Sequence, residues 1–183
     1  MSSDCLTAVK TRTEKIGLVC VGNELMADDG VGIQLAEMLQ SETLPCNVKV
    51  LEKGTSNLRV FYALSNLDKA IIVDAVDFGG QPGESRWFKL DDVVTDKNIS
   101  GLSLHECDLL AIIDLFNKLG KKAPEITIYA IQPEAIAPCL TLSSQLAAKL
   151  PEFVKEIKAL IPRASNRTGM VCQRTEVTET GQV

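Results

Sequence analysis

Three residues of the sequence have side chains that could together bind a metal ion: Asp29, Asp74 and His105. Asp29 lies in "VGNELMADDGVG", which follows an apolar run, and Asp74 comes directly behind the apolar "IIV". His105 precedes an amphipathic stretch. Two carboxylates and one imidazole are the O and N ligands that divalent first-row metals accept, and three such ligands leave coordination positions open. The residue types therefore indicate a site that binds a metal or reacts through one.

Each of these residues also has a structural interpretation. Asp28 and Asp29 are acids at the start of a predicted helix, where they could cap the helix and match its dipole. Asp74 could accept hydrogen bonds from loop amides. His105 is the only histidine and could cap its helix or lie on the surface. From the residue types alone, both interpretations stay open.

Two other chemistries are disfavoured. Gly22, Gly30 and Gly32 follow a strand and open a helix, but their G-x7-G-x-G spacing is not the dinucleotide fingerprint, and two acids there would repel a pyrophosphate. No G-x-S-x-G is present, and the neighbouring positions of Cys107 and His105 do not by themselves make a nucleophilic dyad. Nucleotide binding and nucleophilic catalysis are therefore not indicated.

The hydrophobic pattern predicts strands that alternate with helices, and hence an α/β fold with a mostly parallel sheet covered on both faces. Strands are predicted at residues 16–21, 48–51, 70–76 and 125–131, and helices from residue 31, at 58–64, at 109–120 and at 150–161. A further strand, "SRWFKL", follows four turn-forming residues and is expected to be antiparallel at an edge. Asp29, Asp74 and His105 would then all lie at the carboxyl ends of strands, where sites of such folds gather.

Length and composition limit the class of protein. A chain of 183 residues with 45% hydrophobic and 23% charged residues suits one globular domain. We expect a polar leader at residues 1–15, a single α/β domain at 16–161 and a flexible tail at 162–183. The net charge of -5 argues against nucleic acid or anionic membrane as a partner. No signal or membrane-spanning run is present, and the six cysteines form no C-x-x-C pair, so we expect a cytoplasmic, monomeric protein with mostly buried thiols.

Several sequence blocks, taken in order, resemble the nickel-iron hydrogenase maturation endopeptidases: "VGNELMADDGVG", "GTSNL", "VDAVDFGGQPGE", "SLHECDLL" and "AIQPE". The resemblance implies a three-layer sandwich around a five-stranded sheet. It implies an enzyme that removes the C-terminal extension of the [NiFe]-hydrogenase large subunit precursor once nickel has been inserted. By motif, Asp29, Asp74 and His105 are the implied catalytic and nickel-contacting residues, with Asp28 serving the helix start and the loop.

The resemblance also suggests how substrate is held. Nickel would be carried by the precursor, although other divalent metals could occupy the same site. In a second version, a metal held by the enzyme polarises the carbonyl or activates a water. Gly54 and Thr55 in one loop, and Gly79 and Gly80 in another, are predicted to grip the extended C-terminal segment by edge-strand pairing. An alternative of a different class is a non-catalytic, nickel-sensing chaperone that binds the large subunit and cuts nothing.

Overall fold

The computed structural model describes residues 12–90 and 109–161. These residues form a five-stranded sheet in the order β2-β1-β3-β5-β4. The strands are β1 (Ile16–Val21), β2 (Val48–Gly54), β3 (Lys69–Ala75), β4 (Ser85–Lys89) and β5 (Glu125–Ile131). The first three and β5 are parallel, and β4 pairs antiparallel with β5 at an edge, as predicted.

Four α-helices among the described residues cover the two faces of the sheet. They are α1 (Val31–Ser41), α2 (Asn57–Leu64), α3 (Leu109–Lys118) and α4 (Ser144–Leu160). Buried residues of α1 and α4 pack in one core cluster, and those of α2 and α3 pack in another, on opposite sides of the sheet. The predicted α/β class, a three-layer sandwich around a mostly parallel five-stranded sheet, is therefore confirmed.

The central strand β3 shows how the sheet divides the two cores. Ile71 and Val73 pack with α1 and α4, whereas Ala70 and Ile72 pack with α2 and α3. Because successive side chains of a strand point to opposite faces, Asp74 projects to the α2–α3 side. Burial on both faces explains the continuous apolar run that precedes this acid.

The final helix differs most from its prediction. It begins at Ser144, where Ser143 caps it by accepting a hydrogen bond from the Leu146 N–H at 3.4 Å, and not at residue 150. Pro151 therefore lies inside the helix and not near its start. The proline removes only the hydrogen bond to the carbonyl of residue 147, which lies on the solvent side, so the helix tolerates it.

Some predictions fall on residues outside the described ranges. These are the loop with His105, most of the predicted leader and the predicted tail. No helix within the described ranges is long and apolar enough to cross a membrane. The expectation of mostly buried thiols is wrong for the described cysteines, since Cys20 is buried but Cys46 and Cys139 are exposed.

Candidate functional site

The turn that carries the two adjacent acids lies directly over the carboxyl edge of the sheet. It is a 3-10 turn, Ala27–Gly30, between β1 and α1, and it contacts β3. Gly32 in the first turn of α1 makes this placement possible. A Cβ at Gly32 would lie 2.0 Å from the Val21 carbonyl oxygen and 3.0 Å from that of Val73, so only glycine fits. The start of α1 is thereby held against the ends of β1 and β3.

Asp29 is fixed in this turn by backbone contacts. It is 4% exposed, and its carboxylate Oδ2 accepts a hydrogen bond from the Asn23 N–H at 2.8 Å. Gly22 adopts a φ of +133°, and a Cβ there would lie 2.0 Å from the Asp29 carbonyl oxygen. The loop after β1 therefore wraps closely around Asp29, and the glycine is required by both conformation and contact.

Asp74 is the second buried carboxylate at this edge. It is 5% exposed and pairs in register with Ala130 of β5, one residue before β3 ends. Its strand contacts the turn that carries Asp29. Buried carboxylates are retained where donors or cations stabilise them. Two such groups at one edge of the sheet provide oxygen ligands of the kind that a divalent metal accepts.

The predicted three-residue convergence includes His105, which lies outside the described ranges. In sequence it comes four residues before Leu109, the first residue of α3. Leu109 is 1% exposed and belongs to the core on the α2–α3 side, the same side to which Asp74 projects. Within the described ranges no three His, Cys, Asp or Glu side chains are grouped so that they could hold a metal ion. The convergence with His105 stays a prediction.

Asp28 has a structural role that differs from helix capping. It is fully buried, and its Oδ2 accepts hydrogen bonds from the Glu134 and Ala135 N–H groups at 2.8 and 3.3 Å. Its Oδ1 accepts one from the Ser143 N–H at 2.7 Å. The N-cap of α1 is Gly30, which makes no side-chain cap. The expectation that Asp28 serves the start of α1 is therefore corrected: it clamps the loop between β5 and α4.

Gln132 was not singled out from the sequence, although it lies in the quoted "AIQPE" block. Its Oε1 accepts hydrogen bonds from the Phe78 and Gly80 N–H groups at 3.0 Å each. Its Nε2 donates to the Asp77 Oδ1 at 3.0 Å. The side chain is only 7% exposed. Gln132 therefore fixes the loop of residues 77–84 after β3.

The four predicted substrate-binding residues lie at the carboxyl edge, toward opposite ends of the sheet: Gly54 ends β2 and Thr55 follows it, whereas Gly79 and Gly80 lie in the loop after β3. The Gly54 carbonyl accepts a hydrogen bond from the Gly22 N–H at 3.3 Å, and Thr55 beside it is exposed. Gly79 donates to the Asp77 Oδ1 at 3.0 Å, and Gly80 donates to Gln132. These two amides are engaged within the protein, so pairing of a peptide through them would require those bonds to open.

An apolar rim borders the turn that carries Asp29. Leu25 is 58% exposed and Leu140 is 73% exposed. Their loops are joined by two backbone hydrogen bonds, from the Ala27 N–H to the Cys139 carbonyl at 2.8 Å and from the Cys139 N–H to the Leu25 carbonyl at 3.0 Å. Exposed apolar side chains that form a contiguous patch are typical of surfaces that contact a partner.

Comparisons with known proteins agree with this architecture. The sequence pattern of the family described as hydrogenase maturation protease matches residues 33–160, more than half of the chain. The chain is 29% identical over 156 residues to the hydrogenase expression/formation protein HupD of Rhodobacter capsulatus, covering 81% of this chain and 73% of that protein.

Solved structures give the same result for the fold. The hydrogenase 2 maturation peptidase from a Thaumarchaeota archaeon superposes with a TM-score of 0.60 at 29% identity, covering 79% of this chain and 95% of that one. The maturating endopeptidase HybD of E. coli superposes with a TM-score of 0.65, covering 79% of this chain and 90% of that one, and at 22% identity it bears on the fold alone. The chain therefore belongs to the hydrogenase maturation protease family of peptide hydrolases.

Proposed function

We propose that this protein removes the C-terminal extension of a nickel-loaded [NiFe]-hydrogenase large subunit precursor, and that Asp29, Asp74 and His105 contact the nickel carried by that precursor. The observation that supports the proposal most is the pair of acids at 4% and 5% exposure on one edge of the sheet, in a turn and a strand that touch. Family membership supports the peptidase activity, and these two side chains supply the proposed link to nickel.

The donor set favours transient contact with nickel over permanent retention. Two carboxylates and one imidazole suit divalent first-row metals, but they lack the thiolates of tight structural sites. Backbone contacts hold Asp29 in place before substrate arrives, since its carboxylate is bonded to the Asn23 N–H. The proposed contact is therefore preorganised and reversible, as recognition of a metal on a substrate requires.

The loops around the site would hold the precursor. Gly54 and Thr55 border the site on the β2 side, and the loop with Gly79 and Gly80 borders it on the side of β4. The apolar rim of Leu25 and Leu140 offers contact area for the body of the precursor. In this arrangement the nickel fixes the register of the extension, so that one peptide bond is presented for hydrolysis.

Cleavage of nickel-loaded and nickel-free precursor, followed by intact-protein mass spectrometry, tests the proposal. The nickel-loaded precursor should lose its C-terminal extension, and the nickel-free precursor should keep it. Cleavage of both forms would refute nickel recognition. Unchanged mass in both would favour the non-catalytic chaperone.

Matched variants connect the activity to the site. Asp74→Asn should abolish cleavage, because it removes one anionic ligand while keeping the side-chain shape. Asp68→Asn is the control, since Asp68 directly precedes β3 at its amino end and is salt-bridged there to Arg12. Equal activity of the two variants would contradict the assignment of Asp74. Thermal melting of both variants separates loss of chemistry from loss of fold.

A further inference from the structure

A groove with positive charge runs along β2, the edge strand on the side away from β4. Its volume is about 520 Å³, and it lies between β2 and α2. The apolar floor includes Leu51 and Leu67, and the charged residues that line it are Lys15, Lys49 and Lys53. No acid is among the described residues that line it, although the chain as a whole has a net charge of -5. The groove therefore differs in sign from the rest of the protein.

Two of these lysines are available to a partner. Within residues 12–90 and 109–161, no carboxylate lies within 4.0 Å of the ammonium groups of Lys49 and Lys53. Lys15 is less available, because it lies against Asp68: its backbone N–H donates to the Asp68 carboxylate at 2.9 Å, and this hydrogen bond, together with the charges of Arg12 and Lys15, lowers the pKa of that carboxyl. Glu52 alternates with the lysines along β2 and so projects to the opposite face of the sheet.

Among the residues that the structure describes, no strand pairs with the outer edge of β2. The Ile16 N–H donates to the Asn47 carbonyl, and Ile16 is in register with Val48. In a parallel ladder this register turns the N–H and C=O groups of alternate residues, Val50 and Glu52 among them, away from β1. An extended peptide could therefore hydrogen-bond to β2 while its side chains reach the groove.

We propose that an acidic, extended segment of the precursor adds to the free edge of β2, with two of its acids four residues apart over Lys49 and Lys53. Lys49 and Lys53 line the same groove, although the register of β2 against β1 skips Lys53. Side chains at positions i and i+4 of an added strand lie on one face about 13 Å apart, so both acids can face the groove that the two lysines line. The inference rests on the proposed function, because it assigns the segment to the precursor.

The groove also leads toward the candidate site. β2 ends at Gly54, whose carbonyl is bonded to Gly22 in the loop that wraps around Asp29. A peptide bound along β2 would pass the end of this strand and continue at the edge that carries Asp29 and Asp74. A segment bound on β2 would thus raise the local concentration of the extension at the candidate site, although the segment itself does not contact that site.

Fluorescence anisotropy with the full-length protein tests the acid spacing. One labelled peptide contains valine, threonine and two glutamates four positions apart, and its isomer has the same composition with the glutamates three positions apart. The first should bind roughly twofold to fivefold more tightly, because only it places both acids on one face. Two further versions of the first peptide carry N-methyl groups on the amide nitrogens of its odd-numbered or of its even-numbered residues. One version should bind much more weakly than the unmethylated peptide, and the other should bind almost as tightly. Equal binding of the isomers, or of the two methylated peptides, would overturn the proposal.

Two double variants separate the groove from general electrostatics. K49E/K53E should raise the Kd of the first peptide by about tenfold. It should also raise the KM for the nickel-loaded precursor by about tenfold and leave kcat unchanged. K89E/K122E changes the net charge equally at exposed lysines away from β2 and should leave both quantities unchanged. Equal losses in the two variants would refute the groove. Absence of cleavage by the wild-type protein would instead refute the proposed function, and the peptide binding would still decide on the groove.

Discussion

Asp28 and Asp29 are adjacent in sequence, and replacing each by asparagine should have opposite consequences. The Asp28 carboxylate accepts three backbone hydrogen bonds and is fully buried. In Asp28→Asn one oxygen becomes an amide donor. The more favourable orientation of the asparagine amide keeps its oxygen as the acceptor for the Glu134 and Ala135 N–H groups. Its NH2 group then faces the Ser143 N–H, which is also a donor.

The size of this loss follows from the hydrogen bonds. One buried N–H without an acceptor costs about 1–3 kcal/mol, and the two remaining bonds lose roughly 1 kcal/mol when their acceptor is no longer charged. Asp28→Asn should therefore lower the free energy of unfolding by about 3 kcal/mol. For a chain of this length that corresponds to a decrease in Tm of roughly 6–12 °C.

Asp29→Asn should instead remove activity and preserve stability. Its amide oxygen can still accept the hydrogen bond from the Asn23 N–H, so we expect a loss of about 1 kcal/mol or less. Differential scanning calorimetry gives the two Tm values, and the cleavage assay gives the activity of each variant. A Tm of Asp28→Asn equal to that of the wild type, or equal destabilisation of the two variants, would refute these separate roles of Asp28 and Asp29.

Three further predictions concern positions that support the site. Gln132→Leu should free the loop of residues 77–84, and faster amide hydrogen exchange confined to that loop is the expected result. Gly32→Ala should destabilise the protein by at least about 1–3 kcal/mol, seen as a lower midpoint of urea unfolding, because its Cβ would overlap a carbonyl of β1. Burial and the neighbouring Glu156 raise the pKa of Tyr129 above its usual value of 10.0. The stability that this higher pKa of the folded state provides is fully present below about pH 10. It declines at higher pH, where Tyr129 ionises in the unfolded state, so Tyr129→Phe should flatten the decline in Tm at alkaline pH.

The fold could be predicted from the sequence because its strands are buried on both faces. Continuous apolar runs such as the one before Asp74 occur where helices cover both sides of a parallel sheet. The start of α4 could not be found in this way, because Pro151 suggested that the helix begins near residue 150. The proline is instead tolerated inside the helix, since the carbonyl at residue 147 that loses its hydrogen bond faces solvent. The start is determined by the Ser143 cap, a local hydrogen bond that the apolar pattern does not report.

The candidate site was predictable to a lesser extent. Burial of Asp74 follows from its position directly behind the apolar residues of β3. Burial of Asp29 does not follow in this way, because it lies in the turn Ala27–Gly30 beyond the end of β1 and is covered only when that turn folds over the sheet. The roles of Asp28 and Gln132 depend on contacts with residues more than 50 positions away, as in the hydrogen bonds that the Ser143 N–H donates to Asp28 and the Phe78 N–H donates to Gln132. No local pattern contains such partners. Long-range hydrogen bonds of this kind become visible only in the folded chain.

The central claim is that His105 joins Asp29 and Asp74 around one nickel ion. His105 is the only histidine, so a protein labelled with 15N-histidine gives the signals of a single imidazole. On titration with Ni²⁺, those signals should broaden in the wild type and should need far more Ni²⁺ to broaden in Asp29→Asn and Asp74→Asn. Signals that are unaffected by Ni²⁺, or that broaden equally in all three proteins, would contradict the account.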